Sequence, residues 1–519
     1  MNESDSNFLW GVATSGYQSE GGYNGTDEPQ TNWASAEAGG EVTKTGGASG
    51  FWYHYKEDFA RCRSMGLNAF RLGIEWSRVQ PTHRNEQGPA PAFDFAVLER
   101  YADMVAECRC NGMEPVVTLH HFVHPAWLGS DPWLDPSVLE HFDAYVATAV
   151  DAINSALVHK HRQAPITYFI TINEPNMFVL NTYFGTQFPG GGHFGPQTVN
   201  HCYNQLLRAH IRAYNLIHDL YEKRGWSPPR VTLNNFCSDL YWMDKLLPDL
   251  LSVRELGVDR SRVGTHILVK ADEFKAAFEA ADIPLRKNLS YRFGSIVKWF
   301  INSLWRDRFS AESFAPLLDA IYASPRAQLF DYVGMDYYDP FMEHLLRWPS
   351  LSDHETKNRS LRAWLLNALT SKWWDWRVLP QGLQFFCRYY SDDLGHRPLL
   401  IAENGMAHRR TPDNRQSHRS DRLTRSEFLR LHVQEVVSLV KSGVPVIGYL
   451  HWSLFDNYEW GTFTPRFGLY SIDYAQGTGR LTEDHLGDRP SETYRDLIQA
   501  ARREMGDSNP ESMQSPISG

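Results

Sequence analysis

The sequence has few cysteines, no long apolar run and no excess of basic residues. Its six cysteines in 519 residues are too few for a disulfide scaffold: Cys62, Cys108, Cys110, Cys202, Cys237 and Cys387. The one close pair, Cys108 and Cys110, has no second pair that could complete a zinc site. We therefore expect buried free thiols.

No run of about 18 consecutive apolar residues occurs, which excludes a membrane-spanning helix, and residues 1–7 lack the basic and apolar regions of a signal peptide. These features predict a cytoplasmic protein. The formal net charge of −10 predicts no nucleic-acid partner and no membrane partner, because both bind clustered lysine and arginine. Nothing in the composition decides the oligomeric state, and a homo-oligomer stays open.

Short apolar runs bounded by turn residues recur along the chain, with stretches of helical periodicity between them. The eight runs that we predict to be strands are 8–13, 68–75, 115–121, 167–174, 231–235, 332–338, 399–403 and 446–452. Strands that alternate with helices form parallel sheets with helices outside. The sequence therefore predicts an α/β fold, a single (β/α)₈ TIM barrel over residues 1–505.

The predicted helices are amphipathic and cover 95–112, 138–161, 203–224 and 425–443. The fifth and sixth strands are separated by a long insertion, 236–331, with helix-like pieces at 272–281 and 295–304. An insertion after a barrel strand lies on the C-terminal face, where it shapes the mouth of the site. Residues 506–519 are rich in Ser, Pro, Asn and Met, and we expect a disordered tail.

Polar residues cluster at the ends of the predicted strands, which is where TIM barrels place catalytic groups. They are Arg71, His120 and His121, Asn173 and Glu174, Asp336 to Tyr338, Glu403 and Asn404, and His451 with Trp452. One such residue is commonly a polar cap on a strand. Six strand ends that converge on one face predict a catalytic site.

Two of these strand-end residues, Glu174 and Glu403, have flanks that explain their positions. Pro175 terminates the strand before Glu174, and Asn404-Gly405 makes a turn after Glu403. Opposed carboxyl groups are what glycoside hydrolysis requires, one protonated and one ionised. A separation of about 5–5.5 Å gives retention and about 6.5–9.5 Å gives inversion, so spacing in sequence leaves the outcome open.

Seven segments make the chain resemble family 1 glycoside hydrolases, the β-glucosidase family, from about residue 8 to residue 494. They are FLWGVATSGYQSEG (8–21), FRLGIEWSR (70–78), TLHHFVHP (118–125), TINEPN (171–176), WRVLPQGL (376–383), IAENG (401–405) and HWSLFDNYEW (451–460). Each motif is weak or moderate alone, but all occur in the order of the family. The resemblance implies a β-glycosidase, with β-glucosides as the first expected substrate and β-galactosides or β-fucosides also accepted.

The resemblance also implies roles for individual residues. Glu174 matches the acid/base and Glu403 the nucleophile, which implies retention through a covalent glycosyl-enzyme. Arg71 and Tyr338 match the groups that keep the nucleophile ionised and oriented, and Asn173 matches the donor to the sugar 2-hydroxyl. The residues that match the sugar-binding set are Gln18, His121 and Glu459, with Trp452, Trp460 and Phe467 as aromatic contacts. No metal and no cofactor are implied.

At four positions the chain departs from the usual pattern of this family. Phe122 stands where Trp is usual, Asp336 where Asn is usual, Ala402 where Thr is usual, and Glu75 where Ser is common. Asp336 would place a third carboxyl group near the nucleophile, which raises the pKa of neighbouring acids unless Arg71 compensates. The departure at Asp336 therefore predicts a shifted pH optimum or an unusual substrate.

The expected partner is a small β-glycoside or an oligosaccharide. Glu459 favours a free sugar hydroxyl, because a carboxylate at that position would repel a 6-phosphate. A transglycosylase would use the same residues and differ only in the acceptor. A non-catalytic glycan-binding barrel typically lacks one of the two glutamates, and both are present here. A metal-dependent hydrolase that uses His120, His121 and His124 is the weakest alternative, because no His-x-His pattern supports it.

Overall fold

Eight parallel strands close into a barrel in the computed structural model, which describes residues 8–185, 187–285, 289–341, 376–410, 418–419 and 421–506. The strands are β1 (Leu9–Ala13), β2 (Ala69–Gly73), β3 (Glu114–Thr118), β4 (Tyr168–Asn173), β5 (Arg230–Phe236), β6 (Val333–Tyr337), β7 (Leu399–Asn404) and β8 (Val446–Trp452). Each strand pairs with the next in sequence, and β8 pairs with β1 to close the ring. The predicted fold class is confirmed.

A helix follows each strand on the outside of the barrel. These helices are α1 (Phe51–Ser64), α2 (Phe95–Cys110), α3 (Val138–Ala156), α4 (Pro196–Arg224), α5 (Ala315–Ala323), α6 (Gln381–Asp393), α7 (Arg425–Lys441) and α8 (Pro490–Met505). Shorter helices lie in the loops at Gly16–Ser19, Ala34–Ala38, Trp76–Val79 and Pro175–Val179, and the segment between β5 and β6 adds Leu246–Ser252, Val263–Ala280 and Leu289–Arg308. The helix-like pieces predicted at 272–281 and 295–304 overlap the last two.

The predicted strands overlap all eight observed strands, but the second and third were predicted too long. β2 ends at Gly73 and β3 at Thr118, whereas the predicted strands continue to residues 75 and 121. After Gly73 the side chain of Glu75 caps a helix by accepting from the backbone N–H of Ser77. The residues beyond the two strand ends are buried although they lie outside the sheet.

The helix predictions were correct in position and differ at the ends. Helix α4 begins at Pro196 rather than at residue 203, because proline is well accommodated at a first helical position. The segment predicted at 138–161 is α3 followed by a π-helical turn at Leu157–His161. Beyond Gly506, the predicted tail lies outside the described residues.

The barrel interior is filled by alternate residues of the strands. Its lower layers contain Leu9, Ala69, Val116, Ile170, Tyr332, Leu400 and Leu450, all buried. The opposite faces of the strands pack against the surrounding helices in a larger second core. Polar strand-end residues therefore lie on an apolar floor that closes the bottom of the barrel.

Register shifts in β4 and β7 lie just before the two candidate glutamates. Between β6 and β7, Met335 pairs with Ile401 but Asp336 pairs with Glu403, so β7 contains one extra residue, Ala402. A similar shift in β4 precedes Asn173, the neighbour of Glu174. Because side chains alternate along a strand, an extra residue re-aims the one that follows it. The shift in β7 lets both Ala402 and Glu403 face the barrel interior.

All six cysteines are free, as predicted, and five of them are buried. The prediction of burial is wrong for Cys110, which is exposed near the C-terminal end of α2. Within the described ranges, no helix combines the length and the apolar character that crossing a bilayer requires. The cytoplasmic location stays a prediction.

A buried polar cluster packs behind β2 and includes Glu75. Arg78 Nε donates to Glu20 at 2.9 Å, the Tyr101 hydroxyl donates to Glu20 at 2.8 Å, and the backbone N–H of Glu75 donates to the Tyr101 hydroxyl at 3.2 Å. Burial, and secondly the nearby Glu20, raise the pKa of the Glu75 carboxyl to about 8. The folded protein therefore holds a proton on Glu75 that the unfolded chain releases above about pH 4.3.

We expect Glu75→Gln to reduce the loss of folding stability that accompanies a rise in pH from about 4.5 to about 8. A folded-state pKa above the unfolded value means that the native state binds more protons, so stability falls as pH rises from about 4.5 to about 8. The glutamine cannot ionise, so it should remove a pH-dependent loss of roughly 2–5 kcal/mol. Urea denaturation over this pH range measures the difference, and the exposed Glu86→Gln is the matched control. An equally steep loss in Glu75→Gln and in the native chain would contradict this account.

Candidate active site

The carboxylate of Glu403 lies at the end of β7 and accepts a hydrogen bond on each of its oxygens. Arg71 Nη1 donates to Oε1 at 2.8 Å, and the Tyr338 hydroxyl donates to Oε2 at 2.8 Å. All three side chains are buried. Two donors, one of them a guanidinium, hold the carboxylate in one orientation. Glu403 therefore has the setting of a nucleophile.

Arg71 links four strands of the barrel through its guanidinium. Besides Glu403 on β7, it donates from Nη2 to Asn173 Oδ1 at 2.6 Å and from Nε to Thr118 Oγ1 at 2.9 Å. It also donates from Nη1 to the Ala402 carbonyl at 3.2 Å. Because this last contact uses the backbone, the replacement of the usual Thr by Ala402 leaves it intact.

Glu174 follows β4 immediately and begins the short helix Pro175–Val179. Its backbone is left-handed, with φ of 38°, which is unusual for a residue with a side chain and is found where surrounding structure enforces it. The backbone N–H of Glu174 donates to the Asn234 carbonyl at 2.8 Å, and that of Asn173 to the His120 carbonyl at 2.8 Å. These bonds hold the buried Glu174 on the inner rim of the barrel.

Three carboxyl groups meet at the centre of this rim. Glu174, Asp336 and Glu403 each contribute an oxygen atom, and the three atoms all lie within 4.8 Å of one another. Arg71 Nη1 is 3.8 Å from Asp336 Oδ1. The two glutamates therefore stand close together, with oxygen atoms no more than 4.8 Å apart.

The pKa of the third carboxyl group, Asp336, is raised well above its usual range. Burial has the largest effect, followed by the charges of Glu403 and Glu174, and Arg71 opposes them. Asn234 Nδ2 donates to Asp336 Oδ2 and, at 2.9 Å, to Asn173 Oδ1. Arg71 therefore compensates only in part for the added carboxyl group.

A second group of predicted residues surrounds the place where the sugar is expected. Trp452 Nε1 donates to Glu459 Oε1 at 2.9 Å, so the indole orients this buried carboxylate. Gln18 Nε2 donates to the Tyr458 carbonyl at 2.9 Å, and the Ser15 hydroxyl donates to Gln18 Oε1 at 2.8 Å. These bonds connect the loop after β1 to the loop that carries Glu459.

His121 lies between two tryptophan rings. It stacks on Trp452 at a centroid distance of 5.7 Å and on Trp460 at 5.8 Å, and Asn173 Nδ2 lies 3.4 Å from its Nε2. Phe122, where the family usually has Trp, packs on Trp460 at 4.9 Å. The phenyl ring fills part of this space but has no N–H group to donate to a sugar.

Phe467 packs beside Tyr338, whose hydroxyl donates to Glu403. Its ring is 6.2 Å from Tyr338 and 6.2 Å from Trp376, and it is buried. This packing helps to position the Tyr338 ring, and the contact of Phe467 with a sugar stays a prediction.

The three histidines of the metal-hydrolase alternative have different surroundings. His120 packs edge-on against Trp133 at 5.1 Å, His121 lies between the tryptophans, and His124 Nε2 is 3.2 Å from the Gly129 carbonyl. Burial lowers the pKa of His120 to about 3 and that of His124 to about 4. Among the described residues, the group that could offer three ligand atoms to a metal is Glu174, Asp336 and Glu403, where Arg71 already supplies a positive charge.

Asn234 and Thr118 are site residues that the sequence interpretation missed. Asn234 lies near the end of β5 and connects Asn173 with Asp336. The strand-end rule that selected the other candidates, applied to the Asn234-Asn235 pair, would have found it. Thr118, the last residue of β3 and the partner of Arg71 Nε, was missed because the predicted strand continued to residue 121.

This barrel, with paired acids at the carboxyl ends of β4 and β7, defines the class of TIM-barrel glycoside hydrolases. The model of glycosyl hydrolase family 1 matches residues 2–231 and 296–487. The chain therefore belongs to glycosyl hydrolase family 1, and it is a β-glycosidase and an O-glycosyl hydrolase.

Curated relatives align over nearly their whole length. β-Glucosidase 40 of Arabidopsis thaliana is 25% identical, over 92% of this chain and 90% of the relative. A 6-phospho-β-galactosidase of Clostridium acetobutylicum is 24% identical over 91% and 94%, and a β-galactosidase of Sulfolobus acidocaldarius is 26% identical over 90% of each. Among solved structures, the β-glucosidase of Thermotoga maritima in complex with castanospermine superposes with a TM-score of 0.64, 19% identity and 96% and 99% coverage.

Proposed function

We propose that the chain hydrolyses terminal β-D-glycosidic bonds of unphosphorylated sugars with retention of configuration. The observation that carries the proposal is the arrangement of the two glutamates, whose nearest oxygens lie within 4.8 Å while Arg71 and Tyr338 both donate to Glu403. Two donors orient the carboxyl group of Glu403, and that of Glu174 lies opposite it, as a double displacement requires.

In the first step Glu403 attacks the anomeric carbon and the bond to the aglycone oxygen breaks. Glu174 donates its proton to that oxygen, so the aglycone leaves as a neutral alcohol. In the second step Glu174 takes a proton from water, and the water oxygen displaces Glu403 from the anomeric carbon. Asn173 accepts from Arg71 and Asn234 through Oδ1, and its Nδ2, which lies 3.4 Å from His121 Nε2, is the donor that we propose for the 2-hydroxyl.

The proposed preference for a sugar without a 6-phosphate depends on Glu459. The relatives include β-glucosidases, a β-galactosidase and 6-phospho-β-galactosidases at similar identity, so overall similarity does not select among them. The buried Glu459 is oriented by Trp452 and can accept from two sugar hydroxyls, whereas it would repel a phosphate. We propose glucosides as the first substrate, with galactosides and fucosides also accepted.

A panel of aryl β-glycosides tests this proposal: the glucoside, galactoside, fucoside and 6-phosphoglucoside. We expect nitrophenol release from the unphosphorylated glucoside and at least 10-fold lower kcat/KM for its 6-phosphate, which corresponds to about 1.4 kcal/mol. Proton NMR of the first product should show the β anomer before mutarotation.

The matched control is Glu403→Ala measured on the same panel. An α anomer as first product would overturn retention, and a faster reaction with the 6-phosphate would overturn the substrate assignment. Absence of release from every substrate by the folded native chain would overturn hydrolysis, and added acceptor alcohols would then detect transglycosylation.

A further inference from the structure

The third carboxyl group of the site, Asp336, lies beside the acid/base. Asp336 is fully buried, and one oxygen atom each of Glu174, Asp336 and Glu403 lie within 4.8 Å of one another. Two adjacent buried carboxyl groups repel each other when both are ionised, whereas a single proton between them can form a hydrogen bond. Glu403 already accepts a hydrogen bond on each oxygen, from Arg71 and Tyr338, so Glu174 is the neighbour with which Asp336 can share a proton.

One carboxyl oxygen of Asp336 accepts no hydrogen bond from the described residues and can therefore hold that proton. Asn234 Nδ2 donates to Oδ2, but among the described residues no N–H or O–H group donates to the buried Oδ1. Arg71 Nη1, at 3.8 Å from Oδ1, is beyond hydrogen-bond distance and donates instead to Glu403. A buried acceptor without a donor is unfavourable, and a shared proton relieves this cost.

The charges of the groups around Asp336 also favour one proton on the pair of Asp336 and Glu174. The ionisable groups that face Asp336 are Glu174 from the end of β4, Glu403 from β7, Arg71 from β2, and Tyr338 and Cys237 from the segments after β6 and β5. Burial raises the pKa of both Tyr338 and Cys237, so these two stay neutral. Three carboxylates would then face one guanidinium, and a shared proton halves the excess negative charge.

We propose that Asp336 and Glu174 share a single proton, and that Asp336 is a positioning residue that keeps the acid/base supplied with this proton in alkaline solution. The inference rests on the proposed function, because it assigns Glu174 the acid/base role. A pair of interacting carboxyl groups loses its last proton at higher pH than either group alone, because the product would be two adjacent charges.

The shared proton serves both steps of the reaction. In the first step Glu174 passes the proton to the aglycone oxygen, and both members of the pair become ionised. In the second step Glu174 takes one proton from water, and the pair returns to its singly protonated state. No other reactant is needed, and atoms and charge balance over the cycle.

The test is the pH profile of kcat/KM for Asp336→Asn. Asparagine has nearly the same shape but cannot hold the proton, so Glu174 should ionise at lower pH. With phenyl or alkyl β-glycosides, we expect the alkaline limb to move to lower pH by about one unit or more. With a dinitrophenyl glycoside, whose leaving group needs no protonation, the alkaline limb should stay in place.

The dinitrophenyl substrate separates the supply of a proton by Asp336 from a purely structural role. A distorted site would change the pH profiles of kcat/KM for phenyl and dinitrophenyl glycosides alike. An unshifted alkaline limb for phenyl glycosides in a folded Asp336→Asn would overturn the inference while leaving the proposed hydrolysis intact. Inactivity of the native chain would instead overturn the proposed function.

A second measurement detects the proton directly. The infrared difference spectrum between the native chain and Asp336→Asn near neutral pH should contain the carbonyl band of a protonated carboxyl group, whereas the bands of other protonated carboxyl groups, such as Glu75, cancel. Glu174→Gln should shift the same band because it changes the partner of Asp336, and the exposed Glu86→Gln is the control that should leave it unchanged. A difference spectrum without such a band would contradict the shared proton.

Discussion

Replacement of Glu403 by alanine should lower kcat/KM for aryl β-glycosides on the order of 10⁴-fold or more, and azide should restore turnover with the α-glycosyl azide as product. The alanine removes the atom that attacks the anomeric carbon and opens a space on that face of the sugar. A small anion can enter this space and react in a single inverting step. NMR of the isolated azide gives its anomeric configuration.

The matched control is Glu403→Gln, which removes the nucleophile but fills the space. Glutamine also keeps an acceptor for Arg71 and Tyr338, which donate at 2.8 Å in the native site. We expect the same loss of activity and no rescue by azide. Rescue of both variants, or a loss of less than about 10-fold in the alanine variant, would argue against Glu403 as the nucleophile.

Replacement of Glu174 by alanine should have an effect that depends on the leaving group. For phenyl or alkyl glycosides, which need a proton on the departing oxygen, we expect kcat/KM to fall by about 10²–10⁴-fold. For a dinitrophenyl glycoside the fall should be much smaller, because that phenolate leaves unassisted. A plot of log kcat/KM against leaving-group pKa should become steeper in the variant.

Azide distinguishes Glu174 from Glu403 by stereochemistry. In Glu174→Ala the nucleophile still forms the glycosyl-enzyme, so azide attacks this intermediate and yields the β-glycosyl azide. An equal loss of activity for every leaving group would indicate a structural role for Glu174. An α-glycosyl azide from Glu174→Ala would indicate that Glu174 is the nucleophile and Glu403 the acid/base.

The barrel and its two glutamates were predictable because they depend on local patterns. Each strand is a short apolar run, and Pro175 after Glu174 marks a strand end that sequence shows directly. The predicted strand ends were wrong where residues are buried without belonging to the sheet, as in the two residues after Gly73. Cys110 was predicted to be buried because free cysteines are among the most often buried residues, yet it lies on the exposed side of α2.

The sequence by itself determined which residue types stand at the strand ends, since alternation and turn residues depend on neighbours a few positions away. Only the tertiary structure decided how these residues meet. Arg71 and Glu403 are 332 positions apart, and their contact requires a closed barrel with the extra residue Ala402 in β7. The closeness of Asp336 to Glu174, which have oxygen atoms within 4.8 Å of each other, likewise follows from strand register. Register depends on pairing across the whole barrel, and a shift of one residue turns a side chain to the opposite face.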